Sequence, residues 1–290
     1  MSGITSPSNP RISRLQTLHT TRGRKKNGQF LMEGLNLLET LLDASIVPQE
    51  IYYQPTLLQR TPRGKALLDR LLYTRELPAV LVEVSERVME AVSDVQSAQG
   101  VVSVLGLDAL NADQLRARRP EKRRPALLIL DDLADPGNMG TILRTALATD
   151  VDTVLLTPDC VDYLSPKVMR AAAGAHIALP VEANLAWAAI AERIALHCPA
   201  APRTLLAEAG SEHLYYAQDL SSPFALIVGN EAHGPSKGAK ALATLTITIP
   251  LANGVESLNA AIASGIILYE MVRQLGSQGD REGRQYKDTR

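Results

Sequence analysis

The sequence predicts an α/β protein: a C-terminal, mostly parallel sheet with helices on both faces, preceded by a small α/β unit. Three observations carry that reading. Ala126 to Leu130 is an unbroken apolar run, as expected of a strand buried on both faces. After it, short β-like runs alternate with helix-length segments, the pattern of parallel strands joined by crossovers. Before it, a smaller strand and helix alternation is set apart by a stretch rich in Arg and Pro. These changes divide the chain into a basic segment at 1–29, a small α/β domain at 30–106, a basic linker at 107–124, a larger α/β domain at 125–275 and a polar tail at 276–290, which is expected to be disordered.

The elements follow in order. Ser6 to Pro10 is a breaker cluster. Phe30 to Glu33 reads as a strand, and Leu35, Leu37, Leu38, Leu41 and Leu42 space a helix that ends before Pro48. Glu50 to Tyr53 is a strand, Pro62 to Tyr73 a helix and Val80 to Val84 a strand. Ser85 caps a helix over Glu86 to Val92, and Val101 to Leu105 is a strand. In the larger domain, Asn138 can cap a helix from Met139 to Ala148. Strands are expected at Thr153–Leu156, Ile177–Val181, Thr204–Ala207, Phe224–Val228 and Thr246–Ile249. Helices are expected at Lys167–Ala173 behind a Ser165-Pro166 cap, at Leu185–Leu196, near Ser236–Ala243 and at Leu258–Gln274.

Composition excludes several classes. Aromatic residues make up 4% of the chain, which argues against base recognition built mainly on stacking. Cys160 and Cys198 have neither metal-like nor redox spacing, and the histidines form no ligand-spaced pair, so no metal is expected. No apolar span is long enough for a membrane helix and no signal peptide is evident, which suggests a cytoplasmic protein. The net charge of −1 hides an asymmetry. Met1 to Met32 holds Arg11, Arg14, Arg22, Arg24, Lys25 and Lys26 and no acid, and Arg116 to Arg124 holds one acid, Glu121. Such segments suit contact with a polyanion, and suit solvated tails and linkers equally well.

Ligands of parallel sheets bind beyond the carboxyl ends of the strands. Three strand ends here are rich in Gly, Asn and acids. The first runs from Asp131 through Asp135-Pro136-Gly137-Asn138-Met139-Gly140 to Arg144, a lone charge in an Ala-rich helix. The second is Gly229-Asn230-Glu231-Ala232-His233-Gly234. The third runs from Ile249-Pro250-Leu251 through Asn253-Gly254 to Glu256-Ser257-Leu258-Asn259, with Ser257 as a candidate N-cap. Each alone is an ordinary strand-to-helix connection. No dinucleotide fingerprint, P-loop or G-x-S-x-G elbow occurs.

Taken together the three loops resemble the three motifs of the SpoU (TrmH) branch of the SPOUT RNA methyltransferases, over about Pro125 to Leu275. The segment Arg24-Lys25-Lys26 followed by Phe30 to Gly34 resembles the small ribosomal-protein-like domain that precedes the catalytic domain in many rRNA ribose methyltransferases. Ala173, Ala232 and Asn253 depart from residues common in the family. The resemblance implies a deep trefoil knot, a homodimer with the active site near its interface, and S-adenosyl-L-methionine as cofactor. The reaction implied is methylation of a ribose 2′-hydroxyl in RNA, with 23S or other rRNA as the expected substrate; the alternatives are a tRNA 2′-O-methyltransferase or a catalytically inactive RNA-binding or ribosome-assembly protein of the same fold. It implies cofactor contacts at Gly229, Asn230, Ile249, Leu251 and Leu258. It implies catalytic roles for Arg144, Glu231, Ser257, Asn259 and Asn138; with RNA as the substrate, the acid-free basic segment makes Arg11, Arg22, Arg24, Lys25 and Lys26 the expected RNA contacts. Ala260, Ala261, Ala263, Ser264 and Gly265 in the last helix fit either a dimer contact or internal packing.

Overall fold

In a computed structural model the chain is described over residues 3–73, 79–94, 98–119, 126–197 and 203–279. It divides into two units, one of Met1–Asn111 with Leu164–Ile177, the other of Ala112–Tyr163 with Ala178–Arg290.

The first unit opens with two helices where composition suggested only a basic segment. They are α1 (Pro10–Thr17) and α2 (Thr21–Asn27). The Asn9 side chain accepts from Arg11 N with Pro10 in the first turn, and Thr20 accepts from Gly23 N. Their cores are Ile12, Leu15 and Leu18, all fully buried. Then come β1 (Gln29–Glu33), α3 (Leu35–Asp43), β2 (Glu50–Tyr53), α4 (Pro55–Leu58), α5 (Pro62–Tyr73), β3 (Val80–Glu83), α6 (Glu86–Val92) and β4 (Val101–Gly106). The sheet order is β1-β4-β2-β3. β4 runs antiparallel to both its neighbours and is buried along its whole length. One face packs Val102 and Val104 on Ile12, Leu15, Val88 and Met89; the other packs Ile51 and Val101 on Leu38, Leu67 and Leu68.

The expected linker is partly helical: a 3-10 turn at Leu107–Leu110, then α7 (Ala112–Ala117). Its basic run is not a free polyanion site where it is described. Arg116 pairs with Asp113 and Glu182, each at 2.6 Å, and Arg119 pairs with Asp150 at 2.6 Å. Residues 120–125 lie outside the described residues.

The second unit continues with β5 (Ala126–Leu130), α8 (Pro136–Ala148) and β6 (Thr153–Leu156). The next helix, α9 (Pro166–Ala171), belongs to the first unit, where Gly174 sits against Leu37. The second unit resumes with β7 (Val181–Glu182), α10 (Trp187–His197), β8 (Arg203–Ala207), β9 (Phe224–Val228), α11 (Lys237–Leu242), β10 (Leu245–Ile247) and α12 (Ala260–Gly279). The strand expected at Ile177–Val181 shrinks to Val181–Glu182, because Gly174 (φ 88°) and a 3-10 turn at Ala175–Ile177 occupy the earlier part and Pro180 has no N–H for a ladder. α12 continues to Gly279, into the expected tail; residues 280–290 lie outside the described residues.

All pairings in this sheet are parallel, in the order β10-β8-β9-β5-β6-β7. β5 and β9 are buried at every position. Because the strands are parallel, the carboxyl ends of β10, β8, β9 and β5 lie side by side on one edge of the sheet.

Candidate active site

The β5 loop leads into α8, and its cap differs from expectation. Asp135, not Asn138, is the N-cap: its carboxylate accepts from Asn138 N at 2.7 Å. Pro136 fills the first helical position and needs no donor there. The Asn138 side chain is thereby released for other work. Arg144 is exposed on α8, whereas Gly140, four residues earlier, is buried. Arg144 makes no hydrogen bond or ion pair with any described residue.

The β9 loop is a closed turn. A Cβ on Gly229 would lie 2.8 Å from both Cα and N of Pro235, so only glycine lets the chain fold back on itself here. Asn230 holds the turn together. Its Oδ1 accepts from Ala232 N and His233 N at 2.8 and 3.1 Å, and its Nδ2 donates to the Asp132 carbonyl at 2.7 Å. Its amide is therefore a brace rather than a free ligand contact. Asp131, buried, accepts from Ser236 N at 2.7 Å, and Asp132 sits at φ 56°. Both acids were legible as part of the β5 loop, yet nothing in their spacing marked them as anchors of the loop after β9.

The β10 loop turns at Asn253 (φ 56°) and Gly254 (φ 73°), the two residue types that tolerate this region best. The cap of α12 is Asn259 rather than Ser257: Asn259 Oδ1 accepts from Ala261 N and Ile262 N at 2.9 and 3.3 Å. Ser257 is exposed and lines a cavity instead.

That cavity, of ≈ 250 Å³, lies beyond the ends of β8, β9 and β10. Gly229, Asn230, Ile249, Leu251 and Leu258 all line it, as do Glu231 and Ser257. Asn138, Asn259 and Arg144 are not in its wall. Two of them join it by a chain of amides: Asn259 Nδ2 donates to Asn138 Oδ1 at 2.9 Å, and Asn138 Nδ2 donates to the Glu231 carboxylate. Cys160, near the end of β5, is half-buried and donates to the Leu130 carbonyl at 3.1 Å. Burial pushes its thiol pKa up, so it offers no thiolate nucleophile.

Of the five residues expected to meet RNA, Arg11, Arg22, Lys25 and Lys26 are exposed on α1 and α2. Arg24 is not: it is 2% exposed, and its guanidinium donates to the Leu18 carbonyl at 2.8 Å and to Thr21 Oγ1 at 3.0 Å. Its charge serves the α1–α2 corner.

Residues 125–269 match the model of the SpoU rRNA Methylase family. The chain belongs to the SpoU rRNA methylase family. Residues 9–103 match an MRM3-like substrate binding domain. Among relatives, an uncharacterised tRNA/rRNA methyltransferase of Synechocystis is 36% identical over 94% of each chain. The 23S rRNA (guanosine(2553)-2′-O)-methyltransferase of Bacillus subtilis is 28% identical, covering 93% of this chain and 99% of that one. An AdoMet-bound rRNA methyltransferase from Sinorhizobium meliloti aligns with TM-score 0.75 at 27% identity, over 94% of this chain and 98% of that one. This SpoU chain is an RNA methyltransferase that uses S-adenosylmethionine.

The cavity suits that cofactor on its own chemistry. Among the described residues, the backbone N–H groups of Ile249, Leu251, Ser257 and Leu258 have no hydrogen-bond partner. Unpaired backbone donors beside a cavity are what a polar ligand satisfies. Ile247, Ile249, Leu251, Leu258 and Ile267 give apolar walls, and the lining holds two carboxylates, Glu231 and Glu208, the latter paired with Lys240 outside the lining. A sulfonium cation is compatible with such a wall.

Proposed function

We propose that this SpoU protein methylates a ribose 2′-hydroxyl of ribosomal RNA, in the cytoplasm, from S-adenosylmethionine. One juxtaposition carries the reading: the cavity with its unpaired backbone donors is bordered by Glu231, which Asn138 ties to the start of α12. The cofactor, when bound, supplies a methyl group on a sulfonium, which is already a good leaving group. The protein's task is then alignment and removal of one proton. Gly229, Ile249, Leu251 and Leu258 would hold the cofactor through backbone groups and apolar contact, while Asn230 keeps the Gly229 turn closed. Arg144, exposed and without a partner among the described residues, is available to the 2′-hydroxyl or the adjacent phosphate. A guanidinium with a pKa above ~12 is a poor base, so its first role is to orient and polarise the hydroxyl. Glu231, Ser257, Asn259 and Asn138 would fix the ribose and the loops around it.

Arg11, Arg22, Lys25 and Lys26 supply phosphate contacts in this reading. A homodimer is part of it as well. The small residues of α12 are largely used inside the unit, with Ser264 and Ala261 buried and Gly265 facing Thr145. Ile262 and Tyr269, at 55% and 56% exposure, share a stripe with Ile266 on the outer side, which is apolar surface for a second copy. The deciding experiment incubates the chain with rRNA and tRNA separately and maps 2′-O-methyl groups by mass spectrometry, alongside mapping of the position lost in a deletion strain. Methylation of tRNA alone would replace the substrate. Cofactor binding with no transfer to either RNA would favour a binding protein that kept the fold.

A further inference from the structure

We propose that Glu208 recognises the ribose of the cofactor's nucleoside, its carboxylate accepting hydrogen bonds from the vicinal hydroxyls; this rests on S-adenosylmethionine being the occupant of the cavity. Glu208 directly follows the last residue of β8 and lines the cavity between Ala207 and Ala209. Its N–H donates to the Ile247 carbonyl at 3.0 Å, which fixes the residue at the seam between β8 and β10. Its side chain is 35% exposed and receives Lys240 Nζ on Oε1 at 3.0 Å.

The sheet order gives the cavity a direction. Along β10-β8-β9-β5, Glu231 follows β9 and is bound by Asn138, while Arg144 lies on the helix after β5. With Arg144 at the reacting hydroxyl, as proposed above, the transferred methyl group faces the β5 side. The nucleoside then extends the other way, past β9, toward β8 and β10. Glu208 is the one carboxylate of the lining on that side.

Lys240 selects the kind of partner. A carboxylate already paired with a lysine attracts a second cation weakly, which disfavours the ammonium of the methionine part. It still has lone pairs, about four sites on two oxygens, and the lysine uses one of them. A neutral diol fits what remains. The pair is half in solvent, and surface ion pairs contribute little to stability, so stability gives it no other explanation.

The test is calorimetric titration of the full chain and of its Glu208→Ala and Glu208→Gln variants. The probes are S-adenosylhomocysteine, its 2′,3′-dideoxy analogue, and 5′-methylthioadenosine, which keeps the ribose and lacks the amino-acid part. We expect Glu208→Ala to weaken S-adenosylhomocysteine and methylthioadenosine by the same factor, about ten-fold or more, and to leave the dideoxy analogue unchanged. Glu208→Gln should fall between, and thermal unfolding of both variants should match the unmodified chain. Unchanged affinity for S-adenosylhomocysteine in Glu208→Ala overturns the assignment. So does a loss seen with S-adenosylhomocysteine but not with methylthioadenosine, which would put Glu208 on the amino-acid part. If the folded, unmodified chain binds none of the probes, the cofactor reading itself fails and the inference with it.

Discussion

Asn259 donates its amide to the Asn138 carbonyl oxygen at 2.9 Å, and the direction of that bond is forced. Asn259 Oδ1 is taken by the Ala261 and Ile262 N–H groups, so only its NH₂ can face Asn138. Asn138 must then turn its own NH₂ to Glu231. The start of α12 thus sets the position of the Glu231 carboxylate through two amides. Asn259→Ala removes a cap, worth about 1 kcal/mol, and the relay with it. We expect a small loss of stability and at least a ten-fold loss of kcat, with cofactor affinity within a few-fold of the unmodified chain. Turnover kinetics and cofactor titration on one preparation check this; unchanged kcat would reject the relay.

Arg144 should behave in the opposite way toward stability. It is exposed and makes no hydrogen bond or ion pair with any described residue. Arg144→Ala should shift stability by no more than about 0.5 kcal/mol, abolish methylation and leave cofactor affinity intact. Arg144→Lys keeps the charge and loses the planar fork, so partial activity is expected. Near-normal turnover of Arg144→Ala, measured by methyl incorporation, would remove this residue from the reaction.

Gly229 is limited by space. A Cβ there would press on the backbone of Pro235, which cannot move aside as a side-chain tip would. Gly229→Ala is therefore expected to cost about 1–3 kcal/mol as overpacking and to weaken the cofactor strongly by opening the turn. Chemical unfolding and titration with S-adenosylhomocysteine read the two effects separately. An alanine variant with normal affinity would show that the turn is not needed for the cavity.

The sequence displayed this site unevenly, for physical reasons. Ala126–Leu130 and Phe224–Val228 were readable because a strand buried on both faces is an unbroken apolar run. Asn253 and Gly254 were readable because few other residues tolerate positive φ. The caps were misplaced by a few residues at both site helices. Asp135 and Asn138, like Ser257 and Asn259, can all cap, and tertiary contacts choose between them. α1 and α2 were hidden because a charged composition masks the spacing of Ile12, Leu15 and Leu18. The return of Leu164–Ile177 to the first unit has no local signature at all.

Arg24 and its neighbours should separate cleanly. Arg24→Ala leaves the Leu18 carbonyl without its buried donor, so we expect about 1–3 kcal/mol of destabilisation. Replacing Arg22, Lys25 and Lys26 by Gln should leave stability nearly unchanged. It should weaken RNA binding and flatten its salt dependence, because each lost phosphate contact releases fewer counterions. Binding isotherms at several salt concentrations provide the slope. An unchanged slope would exclude this face as the RNA footprint.

Asp219 makes the acid limb of stability predictable. Ser221 Oγ donates to it at 2.6 Å, Ser222 Oγ at 2.5 Å and Ser221 N at 2.9 Å. Those bonds hold its pKa at about 2, chiefly through the two serine hydroxyls, against the opposing effect of burial. A depressed folded-state pKa means the folded chain binds this proton less readily than the unfolded chain. The stabilisation is present above the ordinary carboxylate range and is lost as pH falls through about 2. Asp219→Asn cannot ionise, so its stability deficit relative to the unmodified chain should shrink between about pH 5 and about pH 2. Trp187, the single tryptophan, lies in the same unit and reports its unfolding by fluorescence. Urea unfolding across that range gives the deficit directly. A deficit that stays constant with pH would mean that the serine bonds fix the loop without favouring the ionised carboxylate.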